Sequence, residues 1–158
     1  MGYEIGGKRG VANHYGPRGT DNQYGGQDNS VGKIKEASWT FDWDKLPAYS
    51  ASNLEMVIPA NATIISCNLR TLTAGAAGSS TAMTVGLVNA STGSAIDPDG
   101  LLAAAQGTNA IVTTKGARAV GAGALLGTAQ TVATEIAVAM SVALTAGRFE
   151  LIVTYEYN

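Results

Sequence analysis

The chain has one histidine and one cysteine, His14 and Cys67, far apart in sequence. Nucleophilic catalysis with a histidine base needs the base within hydrogen-bond reach of a serine or thiol. No serine sits in a Gly-x-Ser-x-Gly elbow, and His14 lies beside Tyr15 in a stretch without regular pattern. A zinc site needs clustered Cys and His, which one of each cannot supply. Asp97-Pro98-Asp99-Gly100 offers two carboxylates in a tight turn, but the further acidic ligands of a calcium hand are missing, so it reads as turn chemistry. Asp42 and Asp44 flank Trp43 on the polar side of a strand. They read as solvated carboxylates bridged locally to Lys45 or Lys35, rather than as the pair that hydrolyses a glycoside. Gly121-Ala122-Gly123 followed by Gly127 loosely mimics a dinucleotide fingerprint, as the glycine-rich N-terminus mimics a phosphate loop. Neither follows a strand and opens a helix, and no Gly-Lys-Thr/Ser is present. Trp39, Phe41 and Trp43 would stack on sugar rings if exposed, but at strand spacing such residues more often face a core. The expectation is therefore a protein that is not an enzyme, with no catalytic residue, no metal ligand and no cofactor.

The elements that would carry these residues are strands. Lys33–Asp44 alternates Trp39, Phe41 and Trp43 against Ser38, Thr40 and Asp42, a period of 2 with one buried face, and Leu46-Pro47 ends it. Leu54–Ile58 is a short strand. Ala62–Thr73 sets Ile65, Cys67 and Leu69 against Ser66, Asn68 and Arg70, and Thr81–Asn89 puts Met83, Val85 and Leu87 on one face. Asp97–Gly100 is a turn, with Leu101–Gln106 making one or two helical turns after it. Gly107–Thr131 is broken by Gly116, Gly121, Gly123 and Gly127 and reads as loop with a short strand near Ile111–Thr113. Thr134–Leu144 alternates Ile136, Val138, Met140, Val142 and Leu144 against alanines small enough to let a second protein layer approach closely. Arg148–Tyr157 places Phe149, Leu151, Val153, Tyr155 and Tyr157 on one face. Short alternating strands with turns between them predict an all-β fold, an antiparallel β-sandwich, jelly-roll-like or Ig-like. The rival reading makes Leu101–Gln106 and Ala133–Leu144 helices on the strength of their alanines. Spacing of two for Val and Ile in the second segment opposes it.

Ahead of this domain, residues 33–158, lies an extended N-terminal arm, residues 1–32. The arm holds nine of the 20 glycines and has no period to bury, so ordering it alone costs about 1–2 kcal/mol per residue with little return. It is not an ordinary solvating tail. Tyr3, Tyr15 and Tyr24 are spaced among glycines, with Lys8, Arg9, His14 and Arg18 between them, and Tyr and Arg are the residues that anchor protein interfaces. The arm is expected to order on another protein's surface, with these seven residues as its partner-binding contacts.

Composition agrees with assembly. Net charge is -2 and 14% of residues are charged, where a free domain carries about a quarter. No basic block marks a nucleic-acid footprint, the single cysteine excludes an intrachain disulfide, and no run of about 18 apolar residues supports a membrane span. Nor does the N-terminus show the pattern of a secretory signal, so synthesis in a cytoplasm is expected.

Several short motifs together resemble the head decoration, or cement, proteins of tailed bacteriophages, of the short-tailed type. They are Tyr15-Gly16-Pro17-Arg18-Gly19-Thr20, Tyr24-Gly25-Gly26, Asp44-Lys45-Leu46-Pro47, Val57-Ile58-Pro59-Ala60-Asn61-Ala62, Val85-Gly86-Leu87, Ile96-Asp97-Pro98-Asp99-Gly100-Leu101 and Thr145-Ala146-Gly147. The resemblance implies a structural virion protein made in the host cytoplasm: a β-sandwich trimer on the capsid exterior at local three-fold axes. Its arms would staple neighbouring major capsid protein subunits and stabilise the head. The alternatives are a head-fibre base or tail structural component, or a carbohydrate-binding module.

Overall fold

The computed structural model describes residues 12–15, 25–31, 33–46, 56–76 and 80–157. Among these residues ten strands run in chain order: β1 Ala12–Tyr15, β2 Gly25–Val31, β3 Ile34–Asp42, β4 Val57–Ile58, β5 Thr63–Ala76, β6 Met83–Asn89, β7 Ala95–Leu102, β8 Arg118–Val120, β9 Thr134–Met140 and β10 Ala146–Glu156. One short helix among them, α1, spans Asn109–Thr113. The strands form two antiparallel sheets, ordered β1-β2-β3-β10-β5-β8 and β4-β9-β6-β7. From β3 onward the chain passes between the sheets so that β3-β10-β5-β8 faces β4-β9-β6-β7. That is the connectivity of a jelly roll, and it decides between the two sandwich topologies left open by the sequence. Among the described residues no helix is long and apolar enough to cross a membrane.

The alternating segments build the core as their periodicity demands. β10 lies in the middle of the larger sheet and buries Phe149, Leu151, Val153 and Tyr155. It pairs with β3, which buries Trp39 and Phe41; the directly opposed Phe41 and Phe149 rings pack with centroids 5.7 Å apart and planes tilted by 36°. From the facing sheet β6 contributes Met83, Val85 and Leu87, and β9 contributes Ile136 and Val138. The helical alternative for Ala133–Leu144 is thereby overturned: β9 is a strand whose Val and Ile follow the period of 2.

Where local pairing departs from a plain ladder, the structure corrects the sequence. In β5, Thr154 pairs with Ser66 while the next residue, Tyr155, pairs with Ile64, so Ile65 is a bulged, unpaired residue. The bulge flips the side-chain phase: Ile64 is fully buried and Ile65 is 45% exposed, the reverse of the expected alternation. Trp43 lies past the end of β3, in a turn closed by the Lys45 N–H donating to the Asp42 carbonyl at 3.0 Å; its own N–H donates across to the Gly147 carbonyl at 3.0 Å, and it is partly exposed rather than on the core face. Val142 and Tyr157 likewise lie beyond β9 and β10 and are exposed.

Asp97–Gly100 belongs to β7, not to a free turn. The β6–β7 register jumps from Val85↔Leu102 to Leu87↔Asp97, so the residues between loop out of the ladder. Turn chemistry survives inside this bulge, with the Asp99 N–H donating to the Asp97 Oδ1 at 3.2 Å. Leu101 and Leu102 are buried strand residues, and only Ala103–Gly107 makes a single turn, closed by the N–H groups of Gln106 and Gly107 on the Ala103 carbonyl. The helix forms where a strand near Ile111–Thr113 was expected. It is held by tertiary contacts: Val112 is buried, and the Thr71 hydroxyl donates to the Ile111 carbonyl at 2.7 Å.

Two stretches of the N-terminal arm are strands, where the sequence shows no period. β2 pairs with β3 from Gly25↔Thr40 to Val31↔Ile34, and β1 pairs with β2 from Ala12↔Ser30 to Tyr15↔Gln27. Backbone groups form this ladder, and backbone pairing leaves no mark on hydropathy. The core-facing positions of β3, Trp39, Ala37 and Lys35, stand opposite Gly26, Asp28 and Ser30, so the register brings no apolar partner to the core. A ladder bond nets about 0.5–1.5 kcal/mol, against about 1–2 kcal/mol of ordering per residue, which leaves this pairing near balance.

Candidate assembly surfaces

Of the residues expected to contact a partner, His14 and Tyr15 lie on β1, opposite Asp28 and Gln27 of β2. Tyr3, Lys8, Arg9, Arg18 and Tyr24 lie outside the described residues. β1 and β2 extend the larger sheet past the edge of the sandwich, so the arm's described residues project from the β3 side.

The outward positions of β3, β10, β5 and β8 are richer in charge than those of β4, β9 and β6. On the larger sheet, outward positions align in cross-strand rows: Thr40, Glu150, Arg70 and Arg118 form one, and Ser38, Ile152, Asn68 and Val120 the next. Arg70 and Glu150 are 3.7 Å apart across the β5–β10 pair, and Arg148 and Asp42 are 3.8 Å apart across β10–β3. Asp42 thus pairs with Arg148 rather than with Lys35 or Lys45. Both ion pairs are substantially exposed and contribute little stability, but they neutralise charge within the face. Lys35 instead lies over the Tyr157 ring, 5.3 Å from its centroid.

On the smaller sheet β4, β9 and β6 carry little charge at their outward positions, while β7 at its edge carries Asp97 and Asp99. The outward positions of the first three are Val57 on β4, Ala137 and Ala139 on β9, and Thr84, Gly86 and Val88 on β6. Glu135 is the one charged residue on these three strands, and it is buried. Gly86 is buried beneath the β7 bulge: a Cβ there would overlap the Asp97 carbonyl and Pro98, so this part of the outer side is already covered by the chain itself. The signal was present in the sequence as strand phase. Charged residues recur at polar positions of β3, β5 and β10, while those of β6 and β9 hold alanine, threonine, glycine and valine apart from Glu135.

The residues weighed for chemistry find structural work. Gly121 donates its N–H to the Cys67 carbonyl at 2.7 Å, and a Cβ there would overlap the Leu101 carbonyl, so this glycine permits close backbone approach. Cys67 is buried, and desolvation pushes its thiol up to about 12, which leaves it protonated and unreactive. A side-chain hydrogen bond with Asp97, reinforced by desolvation and by that neighbour's charge, raises the Asp99 carboxyl above its ordinary value. Among the described residues no three His, Cys, Asp or Glu side chains cluster as metal ligands would. Trp39 is 3% exposed, inside the core, and offers no platform to a sugar ring.

No family model matches the chain, and no curated protein matches it. Among solved structures, a chain in the capsid asymmetric unit of cyanophage Pam1 is similar at a TM-score of 0.53 and 13% identity, covering 82% of this chain and 90% of that one. A chain in the capsid of Ralstonia phage GP4 is similar at a TM-score of 0.53 and 16% identity, covering 82% of this chain and 87% of that one. At such identities the likeness is one of fold: the protein shares its all-β sandwich, over most of its length, with chains found in two phage capsids.

Proposed function

We propose that the protein is a non-catalytic structural component of a phage virion. It binds the outside of the head as a trimer at local three-fold axes and staples neighbouring major capsid protein subunits. The observation that carries this reading is the likeness in fold to chains of two phage capsids, which spans nearly the whole of those chains rather than an inserted module. The jelly roll is itself a recurrent architecture of viral capsid proteins. The exposed outward residues Val57, Ala139 and the half-buried Thr84 and Ala137 support it further, since small uncharged side chains meet another protein without desolvating charge.

Mechanically, each arm adds modest affinity. Three arms on one trimer act at high effective concentration and multiply avidity by about 10²–10⁴. Separating the shell subunits then requires breaking several contacts at once.

The test is co-sedimentation of purified protein with expanded heads that lack it. The full chain binds, and a chain lacking residues 2–32 folds but stays in the supernatant; undiminished co-sedimentation of the truncation would refute the staple. Counting copies per particle separates this role from a head-fibre base or tail part: hundreds for a shell decoration, a dozen or fewer for the others.

A further inference from the structure

We infer that the β1–β2 pair is a releasable flap, and that the β3 edge beneath it is an interaction surface for a second copy of this chain, which supplies its own Gly25–Val31 there. The inference rests on how the flap is held. β2 follows β3 along seven register positions, and the positions facing the core-side residues Trp39, Ala37 and Lys35 are Gly26, Asp28 and Ser30. The facing sheet ends at β4 and β7 and contributes no strand that pairs with the flap. What the register shows is backbone pairing with no apolar residue type set opposite those core-side positions, whereas apolar burial fixes β3, β5 and β10. Segments of this kind open locally at far smaller cost than the body unfolds.

The edge that opening uncovers is different in character. β3 is a regular strand of nine residues, pinned from its other side by β10 and by the burial of Trp39 and Phe41. When the flap is off, β3 presents a preformed row of unpaired N–H and C=O groups, the template that accepts an added strand. The strand that fits this edge is already specified by the register from Gly25↔Thr40 to Val31↔Ile34. An identical strand from a neighbouring copy makes the same contacts, so exchange changes only the connecting turn, and crowding of copies favours it. Exchange also carries the residues that precede β2 onto the neighbour. The inference does not depend on what the assembly binds.

Gln27 and Ser38 are register partners, at a separation that a disulfide spans in antiparallel strands. A full-length chain carrying only Gln27→Cys is mixed with one carrying only Ser38→Cys, concentrated, and oxidised. A disulfide between the two can form in register only if one chain's β2 lies on the other's β3. Buried Cys67 takes no part. The expected result is a mixed disulfide-linked species, several-fold above the background set by Gln27→Cys with Ser91→Cys, a pairing with an exposed turn site. Its yield rises with protein concentration. A Gln27→Cys/Ser38→Cys double variant reports the intrachain arrangement. Cross-linking confined to single chains of that double variant at every concentration overturns the inference. So does the absence of any cross-link, because the register itself would then be unpopulated.

Discussion

Ile64 and Ile65 are adjacent, chemically identical, and assigned opposite fates by the bulge in β5, so truncating each to alanine tests the core directly. Ile64 is fully buried beneath the β10 ladder, while Ile65 is 45% exposed. Ile64→Ala removes three carbons from a closed core. At about 0.8 kcal/mol each, the lost transfer energy is about 2.4 kcal/mol, and the cavity left behind raises the total to about 3–4 kcal/mol. At Ile65 roughly half of that surface is already in water and no closed cavity forms, so the cost is about 1 kcal/mol. Urea unfolding followed by tryptophan fluorescence measures both, with the shift in midpoint read at unchanged slope. Plain alternation from Cys67 and Leu69 would bury Ile65 instead, and a loss for Ile65→Ala equal to or above that for Ile64→Ala would refute the bulge and the core phase drawn from it.

The remaining predictions concern single residues. Gly86→Ala places a methyl against the Asp97 carbonyl and Pro98 and is expected to destabilise by about 1–3 kcal/mol, read as a lowered Tm; an unchanged Tm would place the β7 bulge elsewhere. Native Cys67 is expected to resist a maleimide at neutral pH and to react only when denatured, its thiol being held up to about 12; prompt labelling of the folded chain would contradict its burial. Asp99 has its folded pKa raised, chiefly by the hydrogen bond with Asp97, so its contribution is fully present below the ordinary carboxylate pKa and is lost as pH rises through the raised value. Asp99→Asn should therefore flatten the Tm–pH profile just above the ordinary carboxylate range, without loss of stability at neutral pH; a profile parallel to that of the parent chain would exclude the coupling.

Much of the architecture was legible because burial on one face of a strand writes itself into alternate residues. Trp39 and Phe41, Met83 to Leu87, Ile136 and Val138, and Phe149 to Tyr155 all face the core as their spacing requires. Other elements were not, because what places them is remote in sequence. Gly121 answers to the carbonyls of Cys67 and Leu101, Gly86 to the strand that loops over it, and the Ile111 carbonyl to the hydroxyl of Thr71. No window of neighbouring residues records such partners. Side-chain type alone marks the seven arm residues, and type does not disclose where an arm rests.

From composition and periodicity alone follow an all-β sandwich, a glycine-rich N-terminal stretch with no period to bury, and the absence of the motifs on which the common catalytic sites are built. Side-chain burial drives the first, its absence marks the second, and chemistry needs particular side chains for the third. Only the tertiary structure decided the jelly-roll connectivity, the phase flip at Ile65, the looping of β7 over Gly86, and the seating of Gly25–Val31 on the β3 edge. Each of these depends on backbone hydrogen bonds between distant residues. The backbone is the same for nearly every residue type, and so it leaves no signature in the order of side chains.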